Sequence, residues 1–216
     1  MSTPVSGSIS WQTPVTIVSG DVVTAADLNN LNKDVAYLHA RPWTIVNQTA
    51  SGTSIVAGDK QILFGGSGAG TFSTINSTTG TGSITNSSSA FAVPIAGMYR
   101  ITVSAGALAV ASAHWRVRIV GQNSSGTAQW AFAGNMVDGS TITGNPVQTS
   151  SVTVLVPIGT ASSSVPFGNA NSVYAQVENF TGAAITILGS GSTGVTSSLY
   201  PTSIQIEYTG TSTGAY

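Results

Sequence analysis

Cysteine is absent from the sequence, so no disulfide can staple the fold and no thiolate can hold a metal. Charge is scarce as well. Six Lys and Arg with seven Asp and Glu make 6% of 216 residues, against roughly 25% in ordinary soluble domains. The formal net charge of −1 leaves no basic excess, which removes the electrostatic footprint of a nucleic-acid binder. No apolar run is long enough to cross a membrane as a helix. The first eight residues carry neither the basic nor the apolar part of a secretory signal. Catalytic groups are equally thin. The acids form no D-x-D or H-E-x-x-H pattern, and a paired-carboxylate site would need residues far apart in sequence, such as Asp138 with Glu178. His39 falls in a helical last turn and His114 opens a strand, and a lone histidine in either setting reads as structural. The expectation is a protein that is not an enzyme and uses no cofactor or metal.

What remains is apolar and β-branched. Hydrophobic residues make 41% of the chain, too many for a disordered Gly/Ser/Thr-rich segment. Charge is also unevenly spread. Residues 61–216 carry only Arg100, Arg116, Arg118, Asp138, Glu178 and Glu207, and the other seven charged residues lie within 21–60. A chain with so little repulsion tends to associate. The texture changes near residue 42, which divides an N-terminal arm and helix (1–42) from a β domain (43–216).

In the first part, Pro4 and Pro14 disfavour helix. Trp11, Val15 and Ile17 lie in short apolar stretches with no core of their own, and they read as an arm laid on a partner. Thr24 then offers an N-cap, with Asp27 three residues on in a capping-box spacing. Leu28, Leu31, Val35 and Leu38 follow at steps of three, four and three, a narrow a/d seam. Arg41-Pro42 ends the helix. Fewer than two heptads cannot hold a coil alone, so the seam packs either on its own β domain or around a symmetry axis with other copies.

From Trp43 onward the apolar period is two. Strands are expected at 44–48, 61–64, 71–75, 98–105, 114–120, 129–133, 151–156, 173–178, 184–188 and 203–208. Gly-, Asn- and Pro-rich turns separate them. Many short strands without intervening helices predict an all-β antiparallel sandwich or jelly roll. Gly189-Ser-Gly191-Ser-Thr-Gly194 spells a dinucleotide fingerprint, but the following Val195-Thr-Ser-Ser-Leu-Tyr-Pro201 offers no helix to meet a pyrophosphate, so it reads as a loop. Trp115, Trp130 and Tyr174 are candidates for a sugar-stacking platform, although aromatics more often fill a core or an interface.

Two segments resemble known families. Phe91-Ala-Val-Pro94-Ile-Ala-Gly97-Met-Tyr99-Arg-Ile101-Thr-Val103 resembles the C1q/tumour-necrosis-factor-like jelly roll, whose motif runs Phe, five residues, Gly, one residue, Tyr. Ile101 and Val103 stand where that family usually has aromatics. The segments from Ser172 to Gly182 and from Ser203 to Tyr208 look like its closing strands. The resemblance spans about residues 44–209 and implies a ten-stranded jelly roll that forms a compact homotrimer, with Phe91, Gly97, Tyr99, Ile101 and Val103 in the core. The second resemblance joins Trp11, Gly20-Asp-Val-Val-Thr-Ala-Ala-Asp27-Leu28-Asn29, Leu31 and Leu38 to the opening of tailed-bacteriophage virion proteins of the minor tail, fibre or head-decoration type. It implies a virion part assembled in the host cytoplasm, attached to capsid or tail proteins through Trp11, Val15 and Ile17. With the homotrimer that the jelly-roll resemblance implies, the a/d seam of Leu28, Leu31, Val35 and Leu38 is the expected trimerisation helix. A host surface glycan is the partner in the second reading, a receptor-binding module, and a cell-wall hydrolase is the third.

Overall fold

The structure, a computed structural model, describes residues 22–39, 41–52, 54–65, 72–76, 84–87, 90–108, 112–139, 147–159, 170–190 and 202–210. One helix, α1 (Ala25–His39), precedes the strands β1 (Trp43–Gln48), β2 (Ser54–Ile55), β3 (Lys60–Ile62), β4 (Phe72–Asn76), β5 (Thr85–Ser87), β6 (Ala90–Ala92), β7 (Gly97–Leu108), β8 (His114–Gln122), β9 (Ala128–Ala133), β10 (Val137–Asp138), β11 (Val147–Ile158), β12 (Ser172–Thr181), β13 (Ile185–Thr186) and β14 (Ser203–Gly210).

The pairings are nested and antiparallel. β1 pairs with β14, β6 with β12, β7 with β11, and β8 with β9 and β10. First with last, second with next to last, and so inward, is the pattern of one long hairpin rolled into two facing sheets. It makes the fold an all-β jelly roll. The first sheet runs β11-β7-β14-β1-β4, and the second runs β10-β8-β12-β6-β5 with β9 beside β10 on β8 and β3 on β12. A small third pairing joins β13 to β2.

Alternation along each strand divides core from surface. Tyr99, Ile101, Val103, Ala105 and Ala107 of β7 face inward, opposite Trp115, Val117 and Ile119 of β8 and Val173, Ala175 and Val177 of β12. Ile204, Ile206 and Tyr208 of β14 join the same core, and so does Phe91. Gly97 is buried where β7 begins. The sheets meet along the β9–β11 side through an Asn135 staple. Ser150 Oγ accepts from the Val117 amide at 3.0 Å and donates to the Asn135 carbonyl at 2.7 Å. The Ser151 amide donates to Asn135 Oδ1 at 2.8 Å.

The sequence-based strands at 61–64 and 184–188 are shorter in the structure. Phe64 takes a φ of 61°, so the chain turns after Ile62 while Leu63 and Phe64 still enter the core. Only Ile185–Thr186 forms a ladder, and Ile187 makes a single bridge to Ala107. β2, β5, β6 and β10 have two or three residues each, too short to show a period. The glycine-rich stretch beyond Ser190 lies outside the described residues.

Candidate functional site

Helix α1 begins as its spacing predicts. Thr24 Oγ1 accepts from the Asp27 amide at 3.3 Å, and Asp27 Oδ2 accepts from the Thr24 amide at 2.8 Å, a reciprocal capping box. The Thr24 hydroxyl, then its amide, hold the Asp27 carboxyl below the ordinary aspartate range. Leu28, Leu31 and Val35 are exposed, at 54%, 59% and 46%. Among the described residues no strand packs closely on the helix. Leu38 belongs to α1, but its side chain lies outside the description, as do Trp11, Val15 and Ile17 altogether.

A second apolar surface lies where the β9 and β11 edges meet. The Trp130 and Phe132 rings, 5.5 Å apart, stand with Leu155, Val156 and Pro157 around a cavity of about 140 Å³. Gly121 makes this possible, since a Cβ there would lie 2.2 Å from the Trp130 ring. Trp130 Nε1 is buried and has no hydrogen-bond partner among the described residues. Phe132 and Leu155 are exposed.

The outer faces of the two sheets differ in charge. On the first sheet one register row runs Leu155, Arg100, Glu207, Trp43. The next runs Thr153, Thr102, Gln205, Ile45, and a third runs Ser151, Ser104, Ser203, Asn47. The Thr102 and Thr153 hydroxyls are 3.1 Å apart. Its charges on these rows are Arg100 and Glu207, paired with each other at 2.5 Å.

The outer face of the second sheet gathers most of the remaining charge of the β domain. Glu178 on β12 is buried although it points outward, because three cations cover it. Lys60 Nζ is 3.0 Å from Oε1, Arg116 Nε donates to Oε2 at 3.1 Å, and Arg118 Nη1 donates to Oε1. Burial alone raises the Glu178 pKa. Lys60, Arg118 and Arg116 outweigh that and hold the carboxyl below the ordinary glutamate range. Arg116 also lies over the Phe180 ring, 4.9 Å from its centroid. One row along, His114 is held between Thr181 Oγ1 (2.6 Å from Nδ1) and Asp138 Oδ1 (3.0 Å from Nε2).

Asp138 and Glu178 thus engage separate partners, His114 and the Lys60/Arg116/Arg118 group, and do not make a bare acid pair. The aromatic platform is not assembled either. Trp115 is fully buried, Trp130 faces inward across from Gly121, and Tyr174 lies on the opposite, outer face of β12. Among the described residues no group of three or more His, Asp or Glu side chains is placed to hold a metal. The Glu178 cluster escaped sequence reasoning because its members, at 60, 116, 118 and 178, meet only through strand pairing.

No family model and no curated protein matches the sequence. Among solved structures the chain is similar to Eiger TNF from S. frugiperda, at 11% identity over 82% of this chain and 98% of that one, with a TM-score of 0.46. It is similar to PRD1 vertex protein P5, at 18% identity over 78% and 96%, with a TM-score of 0.42. It is also similar to the infectious bursal disease virus VP2 subviral particle, at 10% identity over 79% of this chain and 38% of that one, with a TM-score of 0.39.

Proposed function

We propose that the protein is a structural part of a tailed-phage virion, a homotrimeric surface appendage attached through its N-terminal arm. The observation that carries this reading is the exposed a/d stripe of Leu28, Leu31 and Val35 on a helix against which none of the described strands packs closely. A short helix needs its apolar seam packed, and other copies of the chain can supply that packing around a symmetry axis. The β9–β11 edge and the sparsely charged face of the first sheet supply two further surfaces of differing shape on one chain. Such surfaces, meeting head to tail, build a ring where the rotation between copies closes, as a trimer requires. The charged outer face of the second sheet then turns to solvent. Residues 1–20 bind a capsid or tail protein, which the resemblance of the N-terminal segment to virion proteins supports. The role is mechanical, with no catalytic step.

Electron microscopy of particles carrying a labelled copy tests this directly. Label at regular positions on the capsid or tail supports the reading, and label absent from purified particles refutes it.

A further inference from the structure

The cluster around Glu178 holds more positive charge than its carboxylate needs. Three of the chain's six Lys and Arg converge on one carboxylate, so Lys60, Arg116, Arg118 and Glu178 sum to +2. Asp138, one row away, is paired with His114, and Asp59, next to Lys60 in the chain, makes no ion pair with the cluster. Two guanidinium groups held against one carboxylate repel each other, a cost that an added anion relieves.

The donors for such an anion are in place. Arg116 uses Nε on Glu178 and Arg118 uses Nη1, which leaves both Nη atoms of Arg116 and the Nε and Nη2 of Arg118 without a protein partner among the described residues. The Gln176 amide, opposite Arg118 in the register, is likewise unpartnered among them. Phe180 adds an apolar ring, 40% exposed, beside Arg116. Planar guanidinium groups match a carboxylate in two-point contacts. An exposed ring beside them suits the C–H face of a sugar, and an amide suits its hydroxyls. The absence of any wider basic patch argues against a nucleic acid.

We propose that the outer face of the second sheet binds a carboxylate-bearing saccharide, with Arg116 and Arg118 clamping the carboxylate, Lys60 adding charge, and Phe180 and Gln176 contacting the sugar ring. Glu178 is the positioning residue that holds the cations in place. The inference rests on the outward placement of this sheet in the assembly.

The test is calorimetric titration of the full-length protein with oligogalacturonate and oligoglucuronate, with their methyl esters and with acetate. Binding of the acidic oligosaccharides that weakens as salt rises, without binding of the esters, is expected. Arg116→Gln should weaken it by about tenfold, and Arg116→Lys, which keeps the charge and loses the fork, should weaken it as well. Both variants keep Lys60 and Arg118 on Glu178, and a thermal melt near that of the parent verifies their folding. Equal binding of the esters, no binding of either acidic oligosaccharide, or parent-like binding by both folded variants overturns the proposal. Acetate binding as tightly as the oligomers overturns the saccharide assignment. Light scattering of the same samples separates the two readings. A trimer that fails to bind refutes only this site, and a monomer that binds refutes only the assembly.

Discussion

Tyr99 and Tyr208 stand opposite each other on β7 and β14 with ring centroids 5.3 Å apart and planes at 69°. The Tyr99 hydroxyl donates to the Ile95 carbonyl at 2.7 Å, which ties the strand to the bend that precedes it. The edge-on pair explains the glycine two residues before Tyr99. A Cβ at Gly97 would lie 2.4 Å from Tyr208 Cε2 and 2.5 Å from the Gly210 carbonyl oxygen. The Gly-x-Tyr spacing is therefore a packing requirement, with glycine clearing room for the second ring. Gly97→Ala should cost about 1–3 kcal/mol through overpacking. Gly210→Ala, whose Cβ meets open space, should cost far less. Chemical denaturation of the two variants decides it, and equal midpoints would remove the packing account.

Long alternating strands were legible from sequence because each shows its period several times over. The expected 114–120 and 203–208 became β8 and β14 with the same starting residues and two more at the end. The alternation of Trp115, Val117 and Ile119 with Arg116 and Arg118 is the alternation of core and surface. Legibility fails where an element is too short to repeat, as in β2 and β10, or where a side chain's fate depends on distant partners. Glu178 looked like one of a few scattered acids. Strand pairing makes it the centre of a four-residue charge cluster. The Leu28, Leu31, Val35 stripe was readable as a stripe, but its spacing could not tell whether the β domain covers it.

The register of β7 gives a sharper test. Ile101 is fully buried, and its neighbour Thr102 points outward to the Thr153 hydroxyl. Ile101→Ala should cost about 2–5 kcal/mol. Thr102→Ala loses only that outward hydroxyl contact and should cost about 1 kcal/mol or less. Equal losses in thermal melting would mean a one-residue slip, which turns every side chain to the other face.

Assembly is checked by mass. Light scattering of the purified protein should give about three times the chain mass, unchanged by reductant because no cysteine is present. Leu31→Lys places a charge in the helical seam, and Leu155→Lys places one at the β9–β11 edge. Both positions are exposed in the single chain, so folding should be preserved while the trimer weakens. A parent protein that stays monomeric at micromolar concentration ends the trimer reading.

The arm is tested by deletion. Trp11, Val15 and Ile17 lie outside the described residues, and in the sequence they form short apolar stretches ahead of the β domain. Removing residues 1–20 should leave the β circular-dichroism signal intact and abolish incorporation into particles. Normal incorporation of the truncated chain would place attachment elsewhere.

The Glu178 cluster makes stability depend on pH in one direction. Burial raises the Glu178 pKa, but Lys60, Arg118 and Arg116 together hold it below the ordinary value of about 4.3. Its folded pKa is therefore lower than its unfolded one. The resulting stabilisation is fully present above the unfolded value and is lost as pH falls through the folded value. Glu178→Gln removes the charge at every pH and leaves three cations facing a neutral amide. At neutral pH it should cost about 2 kcal/mol or more, because breaking a buried pair leaves charge uncompensated. Toward acid the parent carboxyl protonates as well, so the gap between parent and variant should shrink as pH falls below the ordinary glutamate value and close once it passes the lower folded value. Urea denaturation of both proteins across the acid range measures that gap. A gap that stays constant from neutral to strongly acidic conditions would show that the carboxyl gains nothing from its cations, and that Glu178 is held in place by packing alone.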